Sequence, residues 1–212
     1  TAYLRAAEFR NTDWFDILFN NSVSQNHSVS ISSGTDRSQH YASISAMSDP
    51  GWTKQNQVQR YTGNLNSTFK ISKSLSFNMI ANVAYRKQKA PGTLGSTTDV
   101  VNGTVKRDFD INPYSYALNT SRTLDPDTFY TRNYAPFNIV HELDNNYIDI
   151  NVIDSRFQGL LTWKPTPKLE INALGAVKYS ATTQEHHILD ESNQAQAYRA
   201  MGTTTIRDNN SY

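Results

Sequence analysis

Six aromatic residues, Tyr114, Tyr116, Phe129, Tyr130, Tyr134 and Phe137, crowd one stretch of the chain together with Arg122, Asp125, Asp127 and Arg132, and Asp108 and Asp110 lie just before it. Ring faces beside carboxylates suit the C–H faces and hydroxyls of sugars, and they would serve a peptide backbone equally well. Tyr114, Tyr116, Asp125, Asp127, Tyr130 and Tyr134 are therefore candidate contacts for a solute or a partner protein. The competing fate, and the commoner one for loop aromatics, is to pack the loop against its neighbours.

Other constellations are weaker. Asp144-Asn145-Asn146-Tyr147-Ile148-Asp149 has the acids and amides of a calcium loop but lacks the central Gly and terminal Glu of an EF-hand, so the sequence leaves calcium open and commits to no metal. Glu185-His186-His187 offers ligands, yet adjacent residues of a strand point to opposite faces, and the tripeptide reads as loop polarity. Without Cys there is no thiolate chemistry. No nucleophile elbow, phosphate loop or zinc-helix motif occurs, so the expectation is a protein that is not an enzyme and carries no cofactor.

The elements that would position these residues are strands. From Tyr61 to Ile71 the odd positions carry Tyr61, Leu65, Phe69 and Ile71 while the even ones carry Thr62, Asn64, Asn66, Thr68 and Lys70. After Ser72-Lys73-Ser74 the alternation resumes with Leu75, Phe77, Met79, Val83 and Tyr85, which makes a hairpin. A second pair runs from Phe157 through Lys164-Pro165-Thr166-Pro167-Lys168 to Tyr179, and a fainter one spans His27 to Met47 around Gly34. Six strands result. About 10 residues separate the first two hairpins and about 70 the last two, so short turns gather at one end and long loops at the other, the layout of a membrane barrel.

Dimensions agree. An eleven-residue strand such as Leu75 to Tyr85 spans about 36 Å, or about 25 Å once tilted near 45°, which is the height of a bilayer's apolar band. Tyr61, Tyr85 and Tyr179 stand at the long-loop ends of the apolar face and Trp163 at a short-turn end, as interfacial girdles require. Asn78, Asn82, Arg86 and Asn172 fall on the polar face, which would be the lumen. A soluble β-sandwich, as in a glycan-binding or adhesin module, alternates in the same way and is the alternative.

Composition fits half-apolar strands: 21 Asn, 21 Ser and 21 Thr stand among 212 residues, hydrophobic residues make up 37%, and the mean hydropathy is -0.62. No apolar run reaches the roughly 18 residues of a membrane-spanning helix. Twenty basic against nineteen acidic residues leave +1, so nothing points to nucleic acid.

The order of motifs carries a resemblance. Asn11-Thr12-Asp13-Trp14-Phe15-Asp16 is followed by Gln25-Asn26-His27-Ser28-Val29-Ser30-Ile31-Ser32-Ser33-Gly34-Thr35, then by Tyr41-Ala42-Ser43-Ile44-Ser45 and by Arg60-Tyr61-Thr62-Gly63-Asn64-Leu65-Asn66. Together these resemble the early barrel of SusC/RagA-like TonB-dependent transporters of Bacteroidetes. Ser33 stands where that pattern has a Gly, and Met47-Ser48-Asp49-Pro50 departs from it. The resemblance implies an all-β, antiparallel segment of a 22-stranded barrel in the outer membrane of a Gram-negative bacterium. It also implies a SusD-like surface lipoprotein as lid, TonB acting through a segment not in this chain, and an oligosaccharide or oligopeptide as cargo.

On that basis residues 1–25 are expected to end an extracellular loop and 26–86 to form two barrel hairpins. Residues 87–150 would be a long extracellular loop, 151–180 a further hairpin facing outer-membrane lipid, and 181–212 the start of the next outer loop.

Overall fold

The computed structural model describes residues 2–92, 96–99, 104–107, 112–132 and 134–202. Asp108 and Asp110 lie outside them. Six long strands, β1 (Gln25–Gly34), β2 (Ser38–Asp49), β3 (Gln57–Lys70), β4 (Leu75–Pro91), β9 (Asn146–Thr166) and β10 (Leu169–Ile188), form one antiparallel sheet in the order β1-β2-β3-β4-β9-β10. Between β4 and β9 come the short pairs β5 (Ser96–Asp99) with β6 (Thr104–Arg107) and β7 (Tyr130–Arg132) with β8 (Ala135–Phe137), and the helices α3 (Pro113–Asn119) and α4 (Ile139–Asn145). Helices α1 (Ala2–Phe9) and α2 (Trp14–Leu18) precede the sheet and α5 (Asn193–Ala200) follows it.

The pairing register sorts the side chains. Val29, Ile44, Gly63, Val83, Ser155 and Tyr179 stand in one row across the sheet, and Ile31, Ala42, Leu65, Ala81, Phe157 and Val177 in the next. This face is apolar and none of the described residues covers it: Val29 is 69% exposed, Ile44 68% and Phe157 52%. Among its few polar groups the His40 ring and the Ser67 hydroxyl meet at 3.1 Å. At the outer end Tyr61 and Tyr85 lie directly opposite and stack at 6.5 Å, and at the turn end Trp163 pairs with Leu75 and Ile171.

The other face is a polar ladder. The Asn78 amide donates to Asn66 and Thr68, Asn82 to Asn64, Asn64 to Ser43, and the Thr162 hydroxyl to Asn172, so cross-strand neighbours satisfy one another. Ser45 and Thr62 bond in the same way.

Three strands run further than the alternation indicated. β4 continues past Arg86 to Pro91, β9 begins at Asn146 and β10 reaches Ile188, because pairing persists to Pro91 against Tyr147 and Ile188 against Asn146. Beyond the tyrosines the formerly apolar face turns polar, with Gln59, Lys87, Asn151 and Thr183 in one row. The sequence therefore kept no period to read there. Glu185-His186-His187 belongs to this extension and not to a loop, and the two imidazoles do point to opposite faces. Likewise Asp144 and Asn145 end a helix and Asn146 opens a strand, so the 144–149 segment is not a calcium-type loop. Pro165 is held within the end of β9, which leaves only Pro167-Lys168 as the turn.

What the chain buries lies elsewhere. Trp14, Leu18, Ala117, Phe137, Ile139 and Leu143, from α2, α3, β8 and α4, close a small hydrophobic core. This cap sits over the outer strand ends on the polar side, since the residues buried there are Asn146 and Ile148, which share a face with Arg86 and Asn82.

Candidate functional site

The Asn11–Trp14 motif fastens the cap. Asp13 caps α2 by accepting from the Phe15 and Asp16 amides. The Thr12 hydroxyl donates to the Leu124 carbonyl at 2.7 Å, the Trp14 indole N–H donates to Ser121 at 3.1 Å, and Arg10 pairs with Asp125 at 2.6 Å. A four-residue motif thus grips a segment more than a hundred residues away. It thereby fixes α3, whose Tyr116 meets the Trp14 ring edge-on at 5.3 Å.

The six candidate contacts separate into two groups. Tyr116, Tyr130 and Asp125 are structural. Tyr116 and Tyr130 both lean on Phe137, at 6.3 and 5.3 Å between ring centres. Burial, then a hydrogen bond with Tyr130, pushes the Tyr116 phenol well above its ordinary pKa. Asp125 is engaged by Arg10 and by the Asp127 amide. The two tyrosines nevertheless line a cleft of about 440 Å³ with Asn112, Asn119 and Arg132.

Tyr114, Asp127 and Tyr134 face outward. Tyr134 sits in the turn between β7 and β8, 86% exposed and with φ 65, a left-handed backbone that bulky residues seldom adopt. Displaying a full ring there costs conformational energy, and such strain concentrates at functional positions. Tyr114, 48% exposed, belongs to an aromatic group that single-segment reading missed. Phe19 stacks on both Phe15 and Trp52, at 5.4 and 5.2 Å, and Tyr114 leans against all three. These rings come from α2, the β2–β3 connection and α3. Only the spacing of Phe15 and Phe19 on one helical turn hinted at it.

A buried polar chain holds the outer ends together, also unforeseen. Glu142, on α4, is 1% exposed. One carboxylate oxygen accepts from the Asn146 amide at 3.1 Å and the other from the Asn193 backbone N–H at 2.6 Å. Asn146 in turn accepts from the His186 Nε2–H at 2.7 Å, and the Asn193 side chain donates to the Arg132, Ala135 and Pro136 carbonyls. Burial raises the Glu142 pKa against the opposing effect of its two donors, and burial followed by the His187 charge lowers that of His186. Gly92 closes over this chain: a Cβ there would fall 1.8 Å from Asn146 Oδ1, so any side chain would break it. No sequence pattern marks Glu142, because its partners lie 4 and 51 residues away.

The lumenal candidates fall on the polar face. Asn78, Asn82 and Asn172 belong to the ladder, and Arg86 stands opposite Arg60. Among the described residues no cluster of three or more His, Asp or Glu could hold a metal, and no helix is long and apolar enough to cross a membrane.

Fold and site together define an antiparallel six-stranded meander with one bare apolar face, one polar face and a loop-built cap at one end. Solved transporters share this fold. The chain is similar to the RagAB peptide transporter (16% identity, 89% of this chain and 21% of that chain, TM-score 0.63), and to the RagAB peptide importer in its closed-closed state (17%, 87% and 21%, 0.66) and its open-open state (16%, 85% and 20%, 0.60). It spans about a fifth of the chains it matches. No protein-family profile and no curated protein matches it. The resemblance carried by the sequence motifs and the likeness of fold lead to the same transporters.

Proposed function

We propose that the chain is part of an outer-membrane, TonB-dependent importer of the SusC/RagA type, contributing six consecutive strands of its barrel and the outer loops above them. The apolar face meets lipid, the polar ladder lines the lumen, and the cap stands outside the cell. The observation that carries this reading is the distribution of burial. A face rich in exposed Val, Ile, Leu and Phe ends at a tyrosine row, while the hydrophobic core sits in the cap. A soluble β-sandwich would bury that same face against a second sheet.

In this reading a solute is caught between the cap and a SusD-like lipoprotein. Tyr114, Tyr134 and Asp127 offer the outermost contacts, with Tyr116 and Tyr130 shaping the cleft behind them and Asp125 anchoring the loop through Arg10. Force transmitted by TonB then opens the path past the lumenal Asn78, Asn82, Arg86 and Asn172, so no residue here need do covalent chemistry. The cargo is an oligopeptide or an oligosaccharide, and peptides are tried first because the matched importers carry them.

Fractionation of cells expressing the protein tests the class. It should sediment with the outer membrane and need detergent for release; recovery from the aqueous fraction would reject the proposal.

A further inference from the structure

Just above the tyrosine row, on the lipid-facing side, Lys87 and Lys89 project from β4 beside Gln57 and Gln59 of β3. Together with Tyr147 and Asp149 of β9 they line a concavity of about 300 Å³. Resting on the lipid-facing assignment made above, we infer that this concavity binds the phosphorylated headgroup of a lipid in the outward-facing leaflet.

Height is the first argument. Lys87 and Lys89 stand two and four residues beyond Tyr85, about 5 and 9 Å above it for a strand tilted near 45°. The headgroup layer occupies roughly 5–8 Å on each side of the hydrocarbon, so Lys87 stands within it and Lys89 at its outer edge. Charge is the second. The row of Lys87 holds Gln59, Asn151 and Thr183 and no acid, and Lys87 makes no ion pair among the described residues. One row out, acids are present: Asp149 faces Lys89 in register, with Glu185 beyond it. Both, however, turn to His187, at 3.5 and 3.6 Å. Lys89 is held 4.0 Å over the Tyr147 ring, which positions its charge without neutralising it. Cations therefore gather over β4 and acids over β9 and β10, and Gln57 and Gln59 add amide donors for phosphate oxygens.

The test uses detergent-extracted protein and two probes, bis-phosphorylated lipid A and the same lipid stripped of phosphate, with retention read by native mass spectrometry. Wild type should retain the phosphorylated probe in preference. Each lysine near an anionic surface is worth about a fivefold change, so Lys87→Gln with Lys89→Gln should lose that preference by about 25-fold. Arg60→Gln with Arg86→Gln, a basic pair one row nearer the tyrosines on the opposite face, should leave it intact. Equal retention of both probes by wild type, a question needing no variant to fold, overturns the inference, and so does an equal loss in the arginine pair. Protein that stays soluble without detergent overturns the transporter reading together with it, whereas protein that needs detergent but ignores phosphate overturns the headgroup site alone.

Discussion

The sheet and the cap use apolar side chains in opposite ways. In the sheet, Val83 and Phe157 are held apart on one face by backbone ladders and left uncovered. In the cap, Trp14 comes from a segment more than a hundred residues before Phe137 and Leu143, and the three exclude water from one another. Burial therefore stabilises the cap, whereas the sheet relies on its hydrogen-bond register and, in the function proposed above, on lipid against its apolar face. An exposed Val is informative here only because a whole face of such residues ends sharply at Tyr61 and Tyr85, where Gln59 and Lys87 take over.

The sharpest way to break the contrast is to open the cap alone. Phe137, 1% exposed, touches Tyr116 and Tyr130, and Phe137→Ala should cost the cap about 3–5 kcal/mol. Limited proteolysis should then cut within 112–145 while the sheet stays in the membrane. Concurrent loss of the sheet would mean that the two regions are one cooperative unit.

Next in size is a charge on the apolar face. Phe77→Arg or Val83→Arg should destabilise assembly by about 2–4 kcal/mol if near the bilayer midplane, while Asn78→Arg or Asn82→Arg should be milder. The shift between folded and heat-denatured bands on a gel reads both, and equal damage from the two parities would erase the distinction of faces.

The difference between the regions also explains what the sequence disclosed. Alternation is local, so Tyr61 to Ile71 showed its two faces unaided, and the six strands and their short turns were legible. The strand extensions were not, because Lys87, Lys89, Asp149 and Glu185 put polar groups on the face that had marked the period. Nor was the cap. α2 has 5 residues and α3 and α4 have 7 each, too short to establish a helical period, and its core joins residues whose proximity only the folded chain creates. Of the candidate contacts, tyrosine clustering was visible, but nothing local separated outward Tyr134 from inward Tyr116.

A smaller effect concerns the buried carboxylate. Glu142→Ala leaves the Asn193 N–H and the Asn146 amide without an acceptor and should cost about 1–3 kcal/mol. The pH dependence has a definite sign. Burial raises the folded-state pKa, so Glu142's contribution is most favourable below the unfolded value of about 4.3 and declines as pH climbs from there through the raised value. Glu142→Gln should remove that decline from a pH series of cap proteolysis, and an unchanged profile would show that the carboxylate does not titrate there.

The mildest substitutions address function. Tyr114→Ala and Tyr134→Ala should each lower solute uptake or lipoprotein association by a factor matching about 1 kcal/mol or more, with cap stability unchanged for Tyr134, which is 86% exposed, and lowered somewhat for Tyr114, which packs on three rings. Tyr116→Ala should act chiefly through stability, given its contacts with Trp14 and Phe137. If outward and inward tyrosines affected uptake alike at normal protein abundance, the cap would have to be regarded as a single packed unit with no specialised outer surface.

In the proposed barrel one face of the sheet touches lipid and the other does not. A single environment-sensitive fluorophore attached through cysteine at Val83, or at its neighbour Asn82, in protein reconstituted into vesicles with brominated acyl chains, tests it directly. Quenching should be strong at position 83 and slight at 82. Equal quenching at both, or quenching at 82 alone, would contradict it.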